Sequence, residues 1–451
     1  VSSASGSILP LGATVAGARY AVLGLARTGL ATVAALIAAG ADVVAWDDKA
    51  EARDQGAALG ADIADLMNID LAGFTGLLVS PGVPINVHPL ARRARQSKVP
   101  ILGDIELFAL ARPSLPPHKV VGITGTNGKS TTTSLIAHLV EAGGMQARLG
   151  GNIGLPILAQ APLPAGGVYV LELSSYQIDL THSLACDVAV LTNITPDHLD
   201  RYDGDFLAYA ASKQRLFGMQ HADQIAVIAT DDDRCRAIAS HVTHRLLRVS
   251  AKDVVPAEQA AWPALQGPHN AQNVACALAV ARALGIDDAH IAKGLATYPG
   301  LSHRMERIAE IGGVLYVNDS KATNAEAAAP ALAAYPPAVD GRPRIHWIVG
   351  GLAKVEGVGE CDAWLGHVAR AYLIGDAAPM LARVLGDRVP HAVSGTLDTA
   401  VAAARVHAQA GDVVLLSPAA ASFDQFRDFE ARGDAFRAIV TGLWEQGQVH
   451  E

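Results

Sequence analysis

Cysteine is scarce in this 451-residue chain: Cys186, Cys235, Cys276 and Cys361 lie far apart and lack metal-ligand spacing. The simplest reading is buried thiols in a reducing cytoplasm. Aromatic residues are few, at 5%, while Ala, Val, Leu and Gly abound, which suits parallel sheets covered by Ala-rich helices. Positive charge is also short. With 35 Lys and Arg against 44 Asp and Glu, the net charge of −9 argues against a broad nucleic-acid or anionic-membrane surface. A polyanionic ligand would need local cationic pockets. Long apolar runs are missing: the stretch 30–39 is too short to span a bilayer. Residues 1–11 are rich in Ser and Gly without a basic segment, so no signal peptide is expected. A soluble, cytoplasmic protein that does not engage nucleic acid or membrane is expected.

Half of the residues are hydrophobic, enough for several cores. Two breaks divide the chain: the proline-rich P-S-L-P-P-H at 113–118, and Y-P-G-L-S-H at 298–303 after a helix expected at 271–284. Three domains are expected, 1–114, 115–299 and 300–451. Each alternates short Val/Ile/Leu strands with Ala-rich helices, the α/β doubly wound pattern.

Residues 121–133 read V-G-I-T-G-T-N-G-K-S-T-T-T. A short apolar strand runs into Gly125, Thr126, Asn127 and Gly128, and a helix opens at Lys129, Ser130 and Thr131. Such a loop aims backbone N–H groups and the helix dipole at an anion. Lys129 adds a charge for β- and γ-phosphates, and the Ser130 hydroxyl can sit on Mg²⁺. The spacing departs from G-x-x-x-x-G-K-[ST], because Ile123 stands where the first glycine belongs. A nucleoside triphosphate site is expected, against a Gly-rich turn that merely caps a helix.

Other strand ends carry chemistry. A strand at 168–173 delivers Glu172, followed by Ser174 and Gln177; another at 188–191 runs into N-I-T-P-D-H-L-D at 193–200. Parallel sheets gather strand carboxyl ends around their ligand, which would bring Glu172 and His198 beside the phosphates as metal ligands. The plainer readings are a solvent-facing carboxylate and a surface imidazole. Lys213, in a helix expected at 206–217, taken alone reads as an ordinary surface lysine. Asn270 either caps the helix at 271–284 or contacts nucleotide. In the last domain, strands at 314–317, 345–349 and 413–416 run into N-D-S-K-A-T-N, Gly350-Gly351 with Lys354 beyond, and S-P-A-A-A-S-F-D. Hydroxyls, lysines and glycines there suit a small anionic substrate and a nucleotide ribose.

The first domain imitates a dinucleotide fingerprint. A strand at 20–23 enters G-L-A-R-T-G at 24–29, and a second strand at 42–46 ends at Asp47, yet Ala26 stands in place of the second glycine. NAD, plain packing and another nucleotide all remain open at this point. The loop V-S-P-G-V at 79–83, with Ser80 and Gly82, follows a strand at 76–79 and should converge on the same sheet edge.

In order, G-T-N-G-K-S-T (125–131), E-L-S-S-Y-Q (172–177), N-I-T-P-D-H-L-D-R-Y (193–202), H-R-M-E (303–306) and N-D-S-K-A-T-N (318–324) resemble the Mur ligases, ATP-dependent amide-forming enzymes of peptidoglycan synthesis. G-D-I-E-L-F (103–108), G-G-N-I-G (150–154) and S-P-A-A-A-S-F-D-Q-F (417–426) resemble the D-glutamate-adding branch. The resemblance spans roughly residues 22–436. It implies a Rossmann-like first domain, a central P-loop ATPase-type sheet and a Rossmann-like last domain. It further implies a monomer acting on UDP-N-acetylmuramoyl-L-alanine, D-glutamate and ATP through an acyl phosphate.

Residue by residue, the resemblance implies that Lys129 and Ser130 hold ATP phosphates and Mg²⁺, that Glu172 joins one Mg²⁺ ion, and that His198 joins a second. Lys213 matches a lysine that CO₂ converts to a carbamate, whose oxygens suit Mg²⁺ where an ammonium would repel it. Asn270, Arg304, Asp319 and Lys321 match nucleotide contacts. Thr323, Lys354, Ser422 and Phe423 match contacts to D-glutamate, whereas Asn152, Gln177 and His198 match contacts to the muramoyl-alanine portion. Arg27, Thr28 and Asp47 match the pocket for the UDP end. Substrate-binding roles are implied for Ser80, Gly82, Ser174 and Phe429 as well. Rival readings are a folylpolyglutamate-type ligase, a nucleotide-binding regulatory module without turnover, and a dehydrogenase. The first-domain turn with Asp47 opposes the first, and the presence of Glu172, His198 and Lys213 opposes the second.

Overall fold

Val, Ile and Leu runs form three sheets, each edged by short loops that lead into helices. The computed structural model describes residues 8–12, 15–353 and 356–448. The first sheet contains β1 (Arg19–Leu23), β2 (Asp42–Trp46), β3 (Asp62–Ile63), β4 (Gly76–Val79) and β5 (Ile101–Leu102), in the order β3-β2-β1-β4-β5. The second contains β6 (His118–Thr124), β7 (Ala147–Gly151), β8 (Gly167–Glu172), β9 (Val188–Leu191), β10 (Ile225–Ala229) and β11 (Arg245–Val249), ordered β11-β10-β9-β6-β8-β7. All pairings in these two sheets are parallel. Continuous apolar strands such as β9 and β10 are buried along their whole length, as a sheet covered on both faces requires. The third sheet contains β12 (Glu306–Ile311), β13 (Val314–Asn318), β14 (Ile345–Gly350), β15 (Val368–Ile374), β16 (His391–Gly395) and β17 (Val413–Leu416). Its order is β12-β13-β17-β14-β15-β16, and β12 pairs antiparallel with β13 at one edge. The α/β, parallel-sheet expectation holds, with that one antiparallel hairpin added.

Contacts divide the chain into two units. One runs to Trp262 and includes Pro268–Tyr298; the other comprises Pro263–Gly267 and everything from Pro299 onward. Within the first unit the first two sheets share an apolar cluster, from Leu36 and Phe108 through Ile157 and Leu171 to Leu191. Phe108, on the helix Asp104–Ala111, meets Tyr169 of β8 edge-on with ring centroids 5.0 Å apart. Glu106 on that helix is a buried clamp: its carboxylate accepts the N–H groups of His182 (2.6 Å) and Ser183 (3.0 Å) and the Ser183 hydroxyl (2.7 Å). Three donors offset the cost of burying that charge. In the second unit, separate clusters cover the two faces of the third sheet, one around Trp347 and Leu373, the other around Tyr372 and Phe436.

The four cysteines are buried thiols, as their scarcity suggested. Among the described residues no helix is long and apolar enough to cross a membrane. Strand order also fixes where ligands can gather. β1 lies between β2 and β4, β6 between β8 and β9, and β17 between β13 and β14. The loops after those strands therefore meet at the carboxyl edge of each sheet.

Candidate active site

β6 ends at Thr124 and the chain turns through Gly125 to Gly128 before the helix Lys129–Ala142. Gly128 sits at φ +79°, and a Cβ there would collide with Asn273 Oδ1, so the turn requires glycine. The end of β9 braces the loop. Asn193 O accepts the Thr126 N–H at 2.9 Å, Asn193 Oδ1 accepts the Asn127 N–H at 2.8 Å, and Thr192 Oγ1 donates to Asn127 O at 2.7 Å. The Lys129 ammonium donates to Thr126 O at 2.7 Å, placing its charge over the loop.

Lys213 corrects the reading of it as a surface lysine: it is only 2% exposed. On the helix Phe206–Gly218 it belongs to the inward face with Tyr209, Ala210, Leu216 and Phe217. That spacing was a signal available in the sequence, since a lysine falls on an apolar helical stripe. Its Nζ donates to Gly125 O at 2.8 Å and lies 4.5 Å from the centre of the Tyr209 ring. Burial, reinforced by the Lys129 charge, pulls its pKa down to about 7. Two lysines thus converge on one glycine loop in an acidic protein.

Glu172 ends β8 and is buried, which sets aside the solvent-facing alternative. Its Oε1 accepts from Asn152 Nδ2 at 3.1 Å, whereas its buried Oε2 has no partner among the described residues. A buried carboxylate oxygen without a donor calls for a cation or water. His198 takes a left-handed φ of +51°, is 56% exposed at its side chain, and stands with Nε2 3.5 Å from Asp197 Oδ2. Its ring meets Tyr176 at 5.4 Å. No cluster of three or more His, Cys, Asp or Glu side chains arranged to hold a metal occurs among the described residues. The donor set becomes one that suits Mg²⁺ if Lys213 contributes carbamate oxygens alongside the Ser130 hydroxyl and Glu172. Thr131 follows Ser130 in the first turn of the same helix.

Asn270 does not cap its helix. The helix begins at Pro268, so Asn270 lies inside its first turn, where a cap's extended backbone is lost. Its Oδ1 accepts from Asn273 Nδ2 at 3.1 Å, and Asn273 Oδ1 accepts from Thr132 at 3.2 Å, linking it to the phosphate-loop helix. Ser174 and Gln177 form a reciprocal capping box at the helix Ser175–Asp179, which commits the Gln177 oxygen.

In the first sheet the two expected loops do converge: Ser80 Oγ donates to Gly24 O at 2.7 Å. Both oxygens of Asp47 accept backbone N–H groups, from Leu25 at 2.7 Å and Lys49 at 2.9 Å. Arg27 donates to Gly154 O at 3.2 Å, which ties this turn to the loop carrying Asn152; Thr28 lies in the same helical turn. Arg201 donates to Gly82 O (2.9 Å) and Val83 O (3.1 Å), and Asn86 returns a bond to Arg201 O at 2.7 Å. The segment bearing His198 is thereby joined to the Ser80–Gly82 loop. A mainly apolar cavity of about 460 Å³, lined by Ile85, Val99, Ile101, Leu180 and Tyr202 among others, opens beside this tie. None of the predicted site residues lines it.

In the second unit, the ends of β13, β17 and β14 form one edge. Asp319 is buried; its carboxylate accepts the Ser417 hydroxyl at 2.8 Å and the Met305 N–H at 3.2 Å. Burial outweighs those bonds and the Arg304 charge and pushes its pKa up to about 7. Lys321 Nζ lies 3.9 Å from the centre of the Phe429 ring. The Thr323 N–H is bonded to Lys321 O, Ser422 is buried, and Phe423 is 70% exposed. Lys354 falls outside the described residues. Sequence reasoning gave no role to Asn193 and Arg201, although both lie in the N-I-T-P-D-H-L-D-R-Y motif, and missed Asn273, Tyr209 and Arg432; all five brace loops.

Family models match in two places: the Mur ligase middle domain at residues 123–264, and the Mur ligase, glutamate ligase domain at residues 303–420. A Sphingopyxis alaskensis protein named UDP-N-acetylmuramoylalanine–D-glutamate ligase is 65% identical, over 95% of this chain and 98% of its own. Proteins of the same name from Novosphingobium aromaticivorans and Zymomonas mobilis are 59% and 53% identical, over 96% and 94% of this chain and 97% of each of theirs. Among solved structures, a UDP-N-acetylmuramate-alanine ligase from Thermotoga maritima aligns with TM-score 0.57 at 16% identity, covering 94% of this chain and 99% of that one. A folylpolyglutamate synthase/dihydrofolate synthase from Yersinia pestis, complexed with AMPPNP and a Mn ion, aligns with TM-score 0.53 at 19% identity, covering 78% and 98%.

Proposed function

The chain belongs to the Mur ligase family, and from that premise we propose that it joins D-glutamate to UDP-N-acetylmuramoyl-L-alanine, splitting ATP to ADP and phosphate. One observation carries the choice of substrate: relatives matching nearly end to end share the D-glutamate ligase name. The loop chemistry supplies the means.

The alanyl carboxylate attacks the γ-phosphorus of ATP, the bond to the β,γ-bridging oxygen breaks, and ADP leaves with that electron pair. The D-glutamate amine then attacks the carbonyl carbon of the acyl phosphate. The tetrahedral adduct expels phosphate and the amine loses its proton, leaving an amide. The N-terminus of the helix at Lys129 and the Lys129 side chain hold the β- and γ-phosphates, Arg304 offsets charge on the transferring group, and Asn270, Asp319 and Lys321 hold the nucleotide. Mg²⁺ supplies charge neutralisation between the two reacting anions, held by Ser130, Glu172, His198 and a carbamate on Lys213. The depressed pKa of Lys213 supports that carbamate, since only a neutral amine combines with CO₂. Arg27, Thr28, Asp47, Ser80 and Gly82 receive the UDP end, with Asp47 shaping the turn through its bond to Leu25. Asn152, Ser174, Gln177 and His198 receive the muramoyl-alanine portion; Thr323, Lys354, Ser422, Phe423 and Phe429 receive D-glutamate. We further propose the division 1–114, 115–299 and 300–451, one domain for each of UDP, ATP and amino acid.

Phosphate release from ATP with UDP-N-acetylmuramoyl-L-alanine and a panel of amino acids tests this reading. D-Glutamate should support turnover, with L-glutamate, D-glutamine and D-alanine poorer by about 100-fold or more, because a site with donors for two carboxylates leaves them unpaired with the wrong ligand. Preference for L-lysine or meso-diaminopimelate would overturn the acceptor assignment and leave the ligase chemistry standing.

A further inference from the structure

Arg432 lies on the helix Phe429–Gln448 and is 1% exposed. Its guanidinium holds two turns together: Nε donates to Ser320 Oγ at 3.0 Å, while Nη2 donates to Ser320 O at 2.9 Å and Ala420 O at 3.1 Å. Ser320 Oγ in turn donates to Phe429 O at 2.8 Å, which closes the network onto the helix that carries Arg432. The third nitrogen, Nη1, is buried and has no partner among the described residues, and a Cβ added to Gly351 would lie 3.2 Å from it. The guanidinium therefore touches the turn after β13 and the turn after β17, and reaches the backbone after β14. Those two sheet connections are also locked to each other, since Leu352 and Ala421 exchange backbone hydrogen bonds at 2.9 and 3.0 Å. The Asp424 carboxylate is close enough for its charge to act on Arg432; its Oδ2 accepts the Asp376 N–H at 3.0 Å, and its buried Oδ1 has no partner among the described residues.

A buried guanidinium is a costly way to fill space, and an apolar side chain of similar volume would serve a core at least as well. What it offers instead is a rigid fork that fixes several acceptors at once, and a positive charge in a region of low dielectric. Its direct hydrogen bonds go to a hydroxyl and carbonyls, and the Asp424 carboxylate acts on its charge without a direct bond among the described residues. The turns it holds are those proposed above to receive the acceptor amino acid: Ser320 is three residues before Thr323, and Ala420 two before Ser422.

We propose that Arg432 is a positioning residue for the acceptor amino acid, locking the turns after β13 and β17 against Gly351. The inference rests on the D-glutamate reading of the site. It does not touch substrate; it acts through Ser320, Ala420 and the loops they belong to.

The test compares wild type with Arg432→Met, Arg432→Lys and Ser320→Ala in the full-length enzyme, with KM for each of the three substrates, kcat and thermal unfolding as readouts. Arg432→Met should raise the D-glutamate KM by about tenfold or more while the ATP and UDP-substrate KM values stay within about twofold. Arg432→Lys keeps the charge and loses the fork, so its D-glutamate KM should fall between wild type and Arg432→Met. Ser320→Ala removes one acceptor and one donor of the network and should raise the D-glutamate KM a few-fold, roughly the loss of a single hydrogen bond. If Arg432→Met does not fold, the other two variants decide. Folded variants whose D-glutamate KM is unchanged, or whose three KM values rise in parallel, would show a merely structural arginine and overturn the inference. A wild-type enzyme that prefers another amino acid overturns the D-glutamate reading instead, and the same KM comparison on that acceptor then judges Arg432.

Discussion

The glycine turns at residues 24–29 and 125–130 both leave a central parallel strand and both open a helix, yet they are completed by opposite kinds of partner. In the first, the acceptor is internal. Asp47 reaches across from the end of β2 and takes the Leu25 N–H, Ser80 fastens Gly24 from the end of β4, and a Cβ on Gly29 would run into Gly24 O. In the second, the partners brought in are cations, Lys129 on Thr126 O and Lys213 on Gly125 O, while Thr192 donates to Asn127 O and Asn193 accepts the Thr126 and Asn127 N–H groups. The same strand–turn–helix geometry thus yields one turn closed by its own carboxylate and one closed by lysines. The first suits an uncharged hydrogen-bonding group such as a uridine ring and ribose, the second a triphosphate.

The largest effect should come from emptying the second turn of charge. Lys129→Ala is expected to cut phosphate release by about 1,000-fold or more, on the order of 4 kcal/mol of transition-state stabilisation, with unfolding temperature unchanged. Near-normal turnover in a folded Lys129→Ala protein would break the contrast between the turns.

Next in size is Lys213. As an ammonium it repeats the charge of Lys129, whereas as a carbamate it would supply oxygens for Mg²⁺. Lys213→Ala should lose about 100-fold or more of activity, and a short carboxylic acid at high concentration should restore part of it by replacing the oxygens. The sign of the pH effect follows from a pKa lowered to about 7. Above pH 7 the amine is mostly neutral and reacts with CO₂; below it the ammonium does not, so CO₂ depletion should depress wild-type activity most in mildly acidic buffer. Full activity in Lys213→Arg would contradict this, because a guanidinium cannot become that ligand.

The smallest effect is on stability, and repeats the comparison within a single helix. Glu106 and Asp104 are both buried, but Glu106 has three donors whereas neither Asp104 oxygen has a well-formed hydrogen bond among the described residues. Burial pushes the Asp104 pKa up to about 6 from its ordinary 3.8. The folded state therefore holds that proton more tightly than the unfolded chain, and the group costs stability as pH rises from about 4 through 6. Asp104→Asn should then stabilise the protein by about 1–3 kcal/mol at pH 8 and by much less at pH 4. Equal effects in urea unfolding at both pH values would show that the carboxyl is not strained by burial.

The parts of this account that the sequence carried are those where one local pattern suffices. Strands 42–46, 76–79, 188–191 and 413–416 were bounded by apolar runs and turn residues, and the structure has them at those positions. The phosphate loop was legible for the same reason, since its glycines and lysine are contiguous. Lys213 was not legible by itself, because its meaning depends on a contact with Gly125, 88 residues away. Asn270 was misread as a possible cap because a helix start shifts by a few residues without changing its composition. Arg201 sits in a legible motif but its role was not, and Arg432 was missed, because arginines that tie backbone carbonyls together follow no spacing rule; only the assembled loops reveal what they hold.

The contrast between the two turns is tested most directly by equilibrium binding in a crossed design. Calorimetric titrations of Lys129→Ala and Asp47→Ala with ATP and, separately, with UDP-N-acetylmuramoyl-L-alanine should separate cleanly. Lys129→Ala should lose about tenfold or more in ATP affinity and keep its UDP-substrate affinity, while Asp47→Ala should do the reverse. Loss of ATP binding in Asp47→Ala, or equal weakening of both ligands in either variant, would contradict the assignment of the two turns.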